Sequence, residues 1–213
     1  MATNPTGGTS VNLVSRVRNI IVSPKTEWPV IDAEPATIAG IYRSYVVILA
    51  AIPPVASAIG QLAFGFRLFG LVYRPSPAHV ISDAVIRYLL SLVMVYVLAL
   101  IIEALAPTFG GTKDRVAAFK VAAYGSTAGW LAGIFGIIPN LAILGLVGLY
   151  SIYLYYTGLP VLMKVAADKA VGYVLAVIVA AIILWIVVGV ITAAAVGAFA
   201  PLPTAPAGSI SFG

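Results

Sequence analysis

Between residues 41 and 199 the chain alternates long apolar runs with short polar connections, and only ahead of them does hydrophobicity recur with a helical period. In "VNLVSRVRNIIV", residues 11–22, Leu13, Val14, Val17, Ile20 and Ile21 fall at helical spacing, with Asn12, Ser15, Arg16, Arg18 and Asn19 opposite. This pattern predicts a short basic amphipathic helix, too polar to cross a bilayer, lying in the interface with Arg16 and Arg18 towards anionic headgroups. Ser23 and Pro24 end it, and Trp28 in the following "KTEWPVIDAEP" is an expected interfacial anchor. About 20 apolar residues are needed to cross the hydrocarbon core. Five stretches reach that length, at 41–66, 80–106, 116–138, 141–163 and 171–199. Pro53 and Pro54 remove backbone donors within the first and predict a kink or break there, and Pro160 predicts a helix break in the fourth.

Composition explains why the runs are so long. Of 213 residues, 62% are hydrophobic and 9% charged, against about 25% charged in a soluble domain. Too little polar surface exists to cover such a core, so lipid must be part of the solvent. The expected fold class is an all-α membrane protein with five transmembrane helices and a short N-terminal amphipathic interfacial helix. Its parts are a cytoplasmic region at 1–34, a transmembrane domain at 35–199 and a flexible tail at 200–213.

The net charge of +5 does not indicate nucleic acid, because the basic residues stand singly at membrane flanks. Arg16, Arg18, Lys25 and Arg43 precede or open the first span, Lys113, Arg115 and Lys120 surround the link between spans two and three, and Lys164 and Lys169 flank the link between four and five. The other side receives Arg67, Arg74 and Arg87, so the charge asymmetry predicts N-terminus in and C-terminus out. Cysteine is absent, which excludes disulfides and thiolate chemistry. The first ten residues have no basic or apolar region of a signal peptide, so no cleavable one is expected.

Gly125, Gly129 and Gly133 recur every four residues and let backbones approach along one helix face. A groove for another helix of the same chain is the first reading, with a homodimer seam or lipid contact as alternatives. In "YSIYLYYTGLPVLMK", Tyr155 and Tyr156 lie about 12 to 14 Å from Lys164 along a helix, and Tyr150 is deeper still. Tyr150, Tyr153 and Tyr156 are therefore expected to carry hydroxyl contacts to neighbouring helices, with an interfacial belt or a substrate or lipid crevice as alternatives. Glu103 and Lys120 close spans two and three at the same side, where they could snorkel, pair or relay protons. Asp83 and Arg87 have the spacing of a simple i,i+4 pair, and His79 is the only histidine and is read as a loop residue. No phosphate-binding Gly-rich loop or G-x-S-x-G elbow occurs, so no catalytic, cofactor or metal residue is expected.

The segments "IIVSPKTEWPVI", "GTKDRVAAFKVAAYGSTAGWLAGIFGIIP" and "GLYSIYLYYTGLPVLMKVAADKAVGYVLAV" resemble the bacterial branch of the Yip1 domain family, over residues from about 11 to 190. The resemblance implies a membrane protein of about five helices with a cytoplasmic N-terminal region, in a bacterial inner membrane. Eukaryotic relatives act in ER and Golgi trafficking and associate with Rab GTPases. This chain lacks their long cytoplasmic domain and its Asp-Leu-Tyr-Gly-Pro motif, and "AYG" at 123–125 matches their Tyr-Gly-Tyr-Ser element only in part, so Rab binding is not carried over.

The functional expectation is a non-enzymatic membrane-organising protein, a scaffold or accessory subunit of a membrane complex. Its partners would be the lipid bilayer and a membrane protein or a second copy, with no cofactor and no nucleic acid. The alternative is a small transporter or channel subunit, with a site near the broken first helix and the tyrosine-rich fourth.

Overall fold

A computed structural model describes residues 12–68, 71–73 and 75–199; the expected tail at 200–213 and Arg74 lie outside the described residues. α1 (Leu13–Val22) starts where the Asn12 side chain accepts a hydrogen bond from the Val14 amide. α2 (Pro24–Ala33) follows after Ser23 alone, with Pro24 in its first turn, where a missing amide costs little. Arg16 of α1 reaches both Glu27 and Glu34, so the two helices fold back on each other as a hairpin.

The next apolar segment is a composite rod. α3 (Ile38–Ile41) is capped by the Thr37 side chain, passes through a π-helical stretch at Tyr42–Val46, and continues as α4 (Val47–Leu49). A turn at Ala50 and Ala51 then leads into α5 (Ile52–Phe64), and Pro53 and Pro54 occupy its first turn. Beyond Gly65 (φ 71°), a conformation open to glycine, lie two short strands, β1 (Phe66–Leu68) and β2 (Leu71–Tyr73). They pair antiparallel with Phe66 opposite Tyr73, a small sheet that the all-α reading did not contain. α6 (Pro77–Leu105) is capped by Ser76, so His79 lies in its first turn and not in a loop. A 3-10 turn at Ala106–Phe109 extends it.

The stretch expected as one span at 116–138 is divided. α7 (Arg115–Gly125) gives way at Ser126 to α8 (Thr127–Ala132) and then to a 3-10 segment at Gly133–Ile137. The Ser126 hydroxyl lies 2.8 Å from the Ala122 carbonyl and 2.8 Å from the Tyr155 hydroxyl, and such back-bonding bends helices. A second 3-10 run, Pro139–Leu149, covers the part expected as the start of the fourth helix. α9 (Tyr150–Met163) and α10 (Ala167–Phe199) complete the chain. Pro160 does not break α9: the helix runs on to Met163, and the Pro160 carbonyl accepts from the amide of Lys164, which ends it at φ 55°. Among the described residues four helices are long and apolar enough to cross a membrane, Ile38–Phe64, Pro77–Phe109, Ile143–Met163 and Asp168–Ala195.

α7 forms the centre of the bundle, buried from Ala117 through Ala123 and packed on α6 and α9. Its alanines let the neighbouring backbones approach, and Phe119 fills the space between Tyr42 and Tyr96. The α1–α2 hairpin closes one end of this bundle by laying α2 along α9. The closest approach is at Gly158, where a Cβ would fall 2.5 Å from the Trp28 ring.

Gly158→Val should therefore destabilise the detergent-purified protein by about 1–3 kcal/mol through overpacking. Gly145→Ala, where among the described residues the added carbon would meet nothing within 4 Å beyond the local chain, should leave the thermal midpoint in place, and parallel melts of the two variants check the contrast.

Candidate functional site

The densest polar cluster lies where the α1–α2 hairpin meets the bundle. Arg16 and Ile20 are one helical turn apart on α1, so the face that packs must bury both. Arg16 is 4% exposed, and its guanidinium donates to Glu27 Oε1 and Glu34 Oε2 and lies 5.7 Å over the Tyr124 ring. It does not face headgroups as the amphipathic pattern predicts, whereas Arg18, on the opposite face, is exposed. Burial pulls the Arg16 pKa down, but the hydrogen bond to Glu34 and the fields of both carboxylates outweigh it, and the group is held above its ordinary value.

Trp28 also departs from the expected interfacial position. It is fully buried, its ring lies on Gly158, and its indole N–H donates to Thr157 Oγ1 at 3.1 Å. The smallest side chain on α9 admits the largest on α2.

Lys120 and Glu103 do not pair. Lys120 Nζ donates to the carbonyls of Ile31 and Glu34, both at 2.6 Å, so a cation closes the C-terminal end of α2 where the helix dipole is negative. Glu103 instead accepts from Arg115 Nε at 2.8 Å. The reason is positional: the hairpin brings the end of α2 to Lys120, while Arg115, at the start of α7, faces Glu103. Lys164, just beyond α9, bonds Asp32 and ties the same end of α2 to a second helix. Glu27, within α2, and Glu34, the first residue beyond it, were the signal in the sequence for the buried partners of Arg16.

The three glycines meet different neighbours. A Cβ at Gly125 would fall 2.5 Å from the Tyr155 ring, and one at Gly133 would fall 2.6 Å from Pro53. Gly129 donates its amide to Ser151 Oγ at 3.0 Å. All three contacts are within the chain.

The tyrosines divide as well. Tyr155 is buried and bonds Ser126, and the Tyr150 hydroxyl donates to the Ile21 carbonyl of α1 at 3.0 Å. Tyr153 and Tyr156 do not carry the interhelical hydroxyl contacts expected of them: they are partly exposed, and neither hydroxyl has a protein partner among the described residues. With Leu149 and Tyr150 they line a groove of about 550 Å³ between α9 and α10 that is otherwise apolar. Among the described residues no three His, Cys, Asp or Glu side chains converge as a metal site.

Arg16→Met would strand Glu27, whose side chain is 8% exposed. Removing one partner of such a buried pair costs about 3–5 kcal/mol, so the thermal midpoint should fall well below that of the unaltered protein. Adding Glu27→Gln should recover part of the loss. Arg87→Gln, which breaks the exposed pair with Asp83, should cost under about 1 kcal/mol.

The Yip1 domain profile matches residues 18–189 of this chain. The chain is 26% identical over 165 residues to the inner membrane protein YohC of Escherichia coli (strain K12), an alignment covering 75% of this chain and 85% of that protein, and equally similar to YohC of Escherichia coli O6:H1. No solved structure matches it. The profile match begins within α1 and ends within α10, taking in the hairpin, the central helix and the groove, and this protein belongs to the Yip1 domain family.

Proposed function

We propose that this chain is a multi-pass inner-membrane protein that organises other membrane components as a non-enzymatic scaffold or accessory subunit. The observation that carries this reading is the use to which the ionisable side chains are put. Arg16, Glu27 and Glu34 lock α1 on α2, Lys120 and Lys164 hold α2 on α7 and α9, and Arg115 with Glu103 joins α7 to α6. Each fixes one element on another, and the product is a rigid hairpin whose outer face shows Val14, Arg18 and Val22.

The reading includes five crossings, with the hairpin in the cytoplasm and the C-terminus outside. A fifth crossing is supported by the path of the broken segment 115–137. It starts beside α2, where Lys120 meets Ile31, and ends where Gly136 abuts Gly60 of α5, at the opposite end of the bundle. Orientation is supported by charge: nine of the twelve lysines and arginines fall in the sequence segments assigned to the cytoplasmic side, against Arg67, Arg74 and Arg87 in those assigned to the other.

Because the chain is naturally free of cysteine, single introduced thiols read topology directly. Lys113→Cys and Lys169→Cys should react with an impermeant maleimide only in inverted vesicles, and Ser76→Cys only in intact cells with a permeable outer membrane. The reverse pattern overturns the orientation. For the role, mild-detergent extraction from native membranes should retain a specific membrane protein. Val14→Asp with Val22→Asp, both at exposed positions, should release it without lowering the thermal midpoint. A lone chain that drives solute flux in proteoliposomes would replace the scaffold with a transporter.

A further inference from the structure

Three contacts fix how deep the α1–α2 hairpin reaches. Asp32, at the end of α2, bonds Lys164; Trp28 lies on Gly158 and donates to Thr157; and the Ile21 carbonyl, just before the turn at Ser23, accepts from Tyr150. These partners descend α9 in order, and Tyr150 is about 21 Å from Lys164 at the α-helical rise. The hairpin therefore does not lie flat across the Lys164 end of the bundle. It runs down the side of α9 and turns back at the level of Tyr150, where α1 also meets α8.

α10 flanks another face of α9 over the same levels. The two helices are antiparallel, and their facing residues run from Tyr156 and Val171 down to Leu149 and Ile178. Along this stretch and beyond it α10 turns Val171, Leu175, Val179, Ile186 and Val190 outward, with no charged side chain after Lys169. Val171 to Val190 spans about 29 Å, close to the full hydrocarbon core of about 30 Å. That face fits a bilayer of ordinary thickness beginning beside Lys169.

The hairpin has the opposite chemistry at those levels. Its exposed side carries Arg18, Asn19, Ser23, Lys25 and Thr26. The hairpin's own carboxylates, Glu27, Asp32 and Glu34, are bonded to Arg16 and Lys164 and do not neutralise Arg18 or Lys25. Depth sets these two cations apart from Lys113 and Lys169, which stand near the Lys164 end, where Thr112 bonds Met163 and Gly110 lies beside Lys169. Snorkelling lifts a cation by the length of its side chain, and leaves Asn19 and Ser23 where they are. Hydrocarbon expels charged and polar groups, so acyl chains cover this side only below the turn, from the level of Ile178 to that of Val190, about 18 Å. One molecule presents two apolar heights, and a flat bilayer cannot match both.

We infer that phospholipid headgroups and their water line the outer side of the α1–α2 hairpin down to Ser23, so that the leaflet on the Lys164 side is thinned there and full along α10. The inference rests on the bundle crossing the bilayer with its Lys164 end at one face, as proposed above. It concerns the chain alone, with no scaffold partner on that side.

The test uses the purified full-length protein in phosphatidylcholine–phosphatidylglycerol vesicles. A nitroxide is attached through Ser23→Cys or Leu175→Cys, and its collisions with nickel ethylenediaminediacetate or with oxygen are read by power saturation. Leu175 is nearer the Lys164 end than the turn is, yet the polar nickel chelate, which hydrocarbon excludes, should meet the Ser23 label about tenfold more often than the Leu175 label. Oxygen should show the reverse order. Adding Arg18→Leu, Asn19→Leu and Lys25→Leu, all at exposed positions, should cut chelate collisions at Ser23 and raise those with oxygen while the thermal midpoint stays in place. Oxygen-dominated collisions at Ser23 would overturn the inference by placing the hairpin in hydrocarbon, and low collisions with both reagents would do so by showing that protein covers that side. Chelate access at both positions would overturn it by lifting this end of the bundle out of the bilayer, as would access at Ser23 that ignores the three leucines. A failed orientation would show separately, as maleimide labelling of Lys169→Cys from the other side with the contrast between the two nitroxides intact.

Discussion

The buried charge of Arg16 governs how this molecule closes. A guanidinium withdrawn from water must find compensating charge in place, and here two carboxylates from the neighbouring helix supply it. Such a group adds little net stability over a well-packed apolar residue, yet it penalises every alternative docking that leaves it unpaired. The hairpin therefore has one register. Trp28 on Gly158 sets its level along α9, and Lys120 and Lys164 hold the far end of α2. Strip out the ionic contacts and the same apolar faces could slide, because hydrophobic contact has no direction.

Helix length gives the hairpin its place. The helix at Pro77–Phe109 has 33 residues and so does α10, about 50 Å each at the α-helical rise. The hydrocarbon core is about 30 Å thick. The surplus must stand in the headgroup layer and beyond, where bare apolar helix ends would face water. The α1–α2 hairpin packs along α9, with Ile20, Trp28 and Ile31 turned inward. Its ionic side chains bond one another and the helix ends, which is how a cluster of ions can be built into so apolar a chain.

The apolar runs were plain in the sequence because lipid imposes a length on any helix that crosses it, and the runs at 41–66, 80–106 and 171–199 match three of the long helices closely. What the runs could not show was their internal regularity. The break at Ser126 depends on a hydroxyl from α9, and the 3-10 run at Pro139–Leu149 is a conformation that composition does not signal. The hairpin misled for a different reason. Amphipathic spacing says which face of α1 is apolar, but Arg16 sits on the packed face beside Ile20, and only the return of α2 explains that. Trp28 reads from the sequence as an interfacial anchor, and nothing in its own stretch signals that Gly158, 130 residues on, receives its ring. Glu103 and Lys120 read as possible partners, but Glu103 takes Arg115 at the start of α7, and Lys120 takes the carbonyls of α2, which only the return of the hairpin brings to it.

The same packing explains why a groove exists at all. α9 presents small or well-matched residues to α2 and α7, with Gly158 under Trp28, Tyr155 over Gly125 and Ser151 bonded to Gly129, and on those sides the backbones come close. Towards α10 it presents Tyr153 and Tyr156, rings too large to interdigitate with the valines opposite, so the two helices stand apart along that stretch. A soluble protein would have to fill such a gap or flood it. In a membrane the solvent is itself a chain of methylenes, so an apolar cleft open to it need be neither.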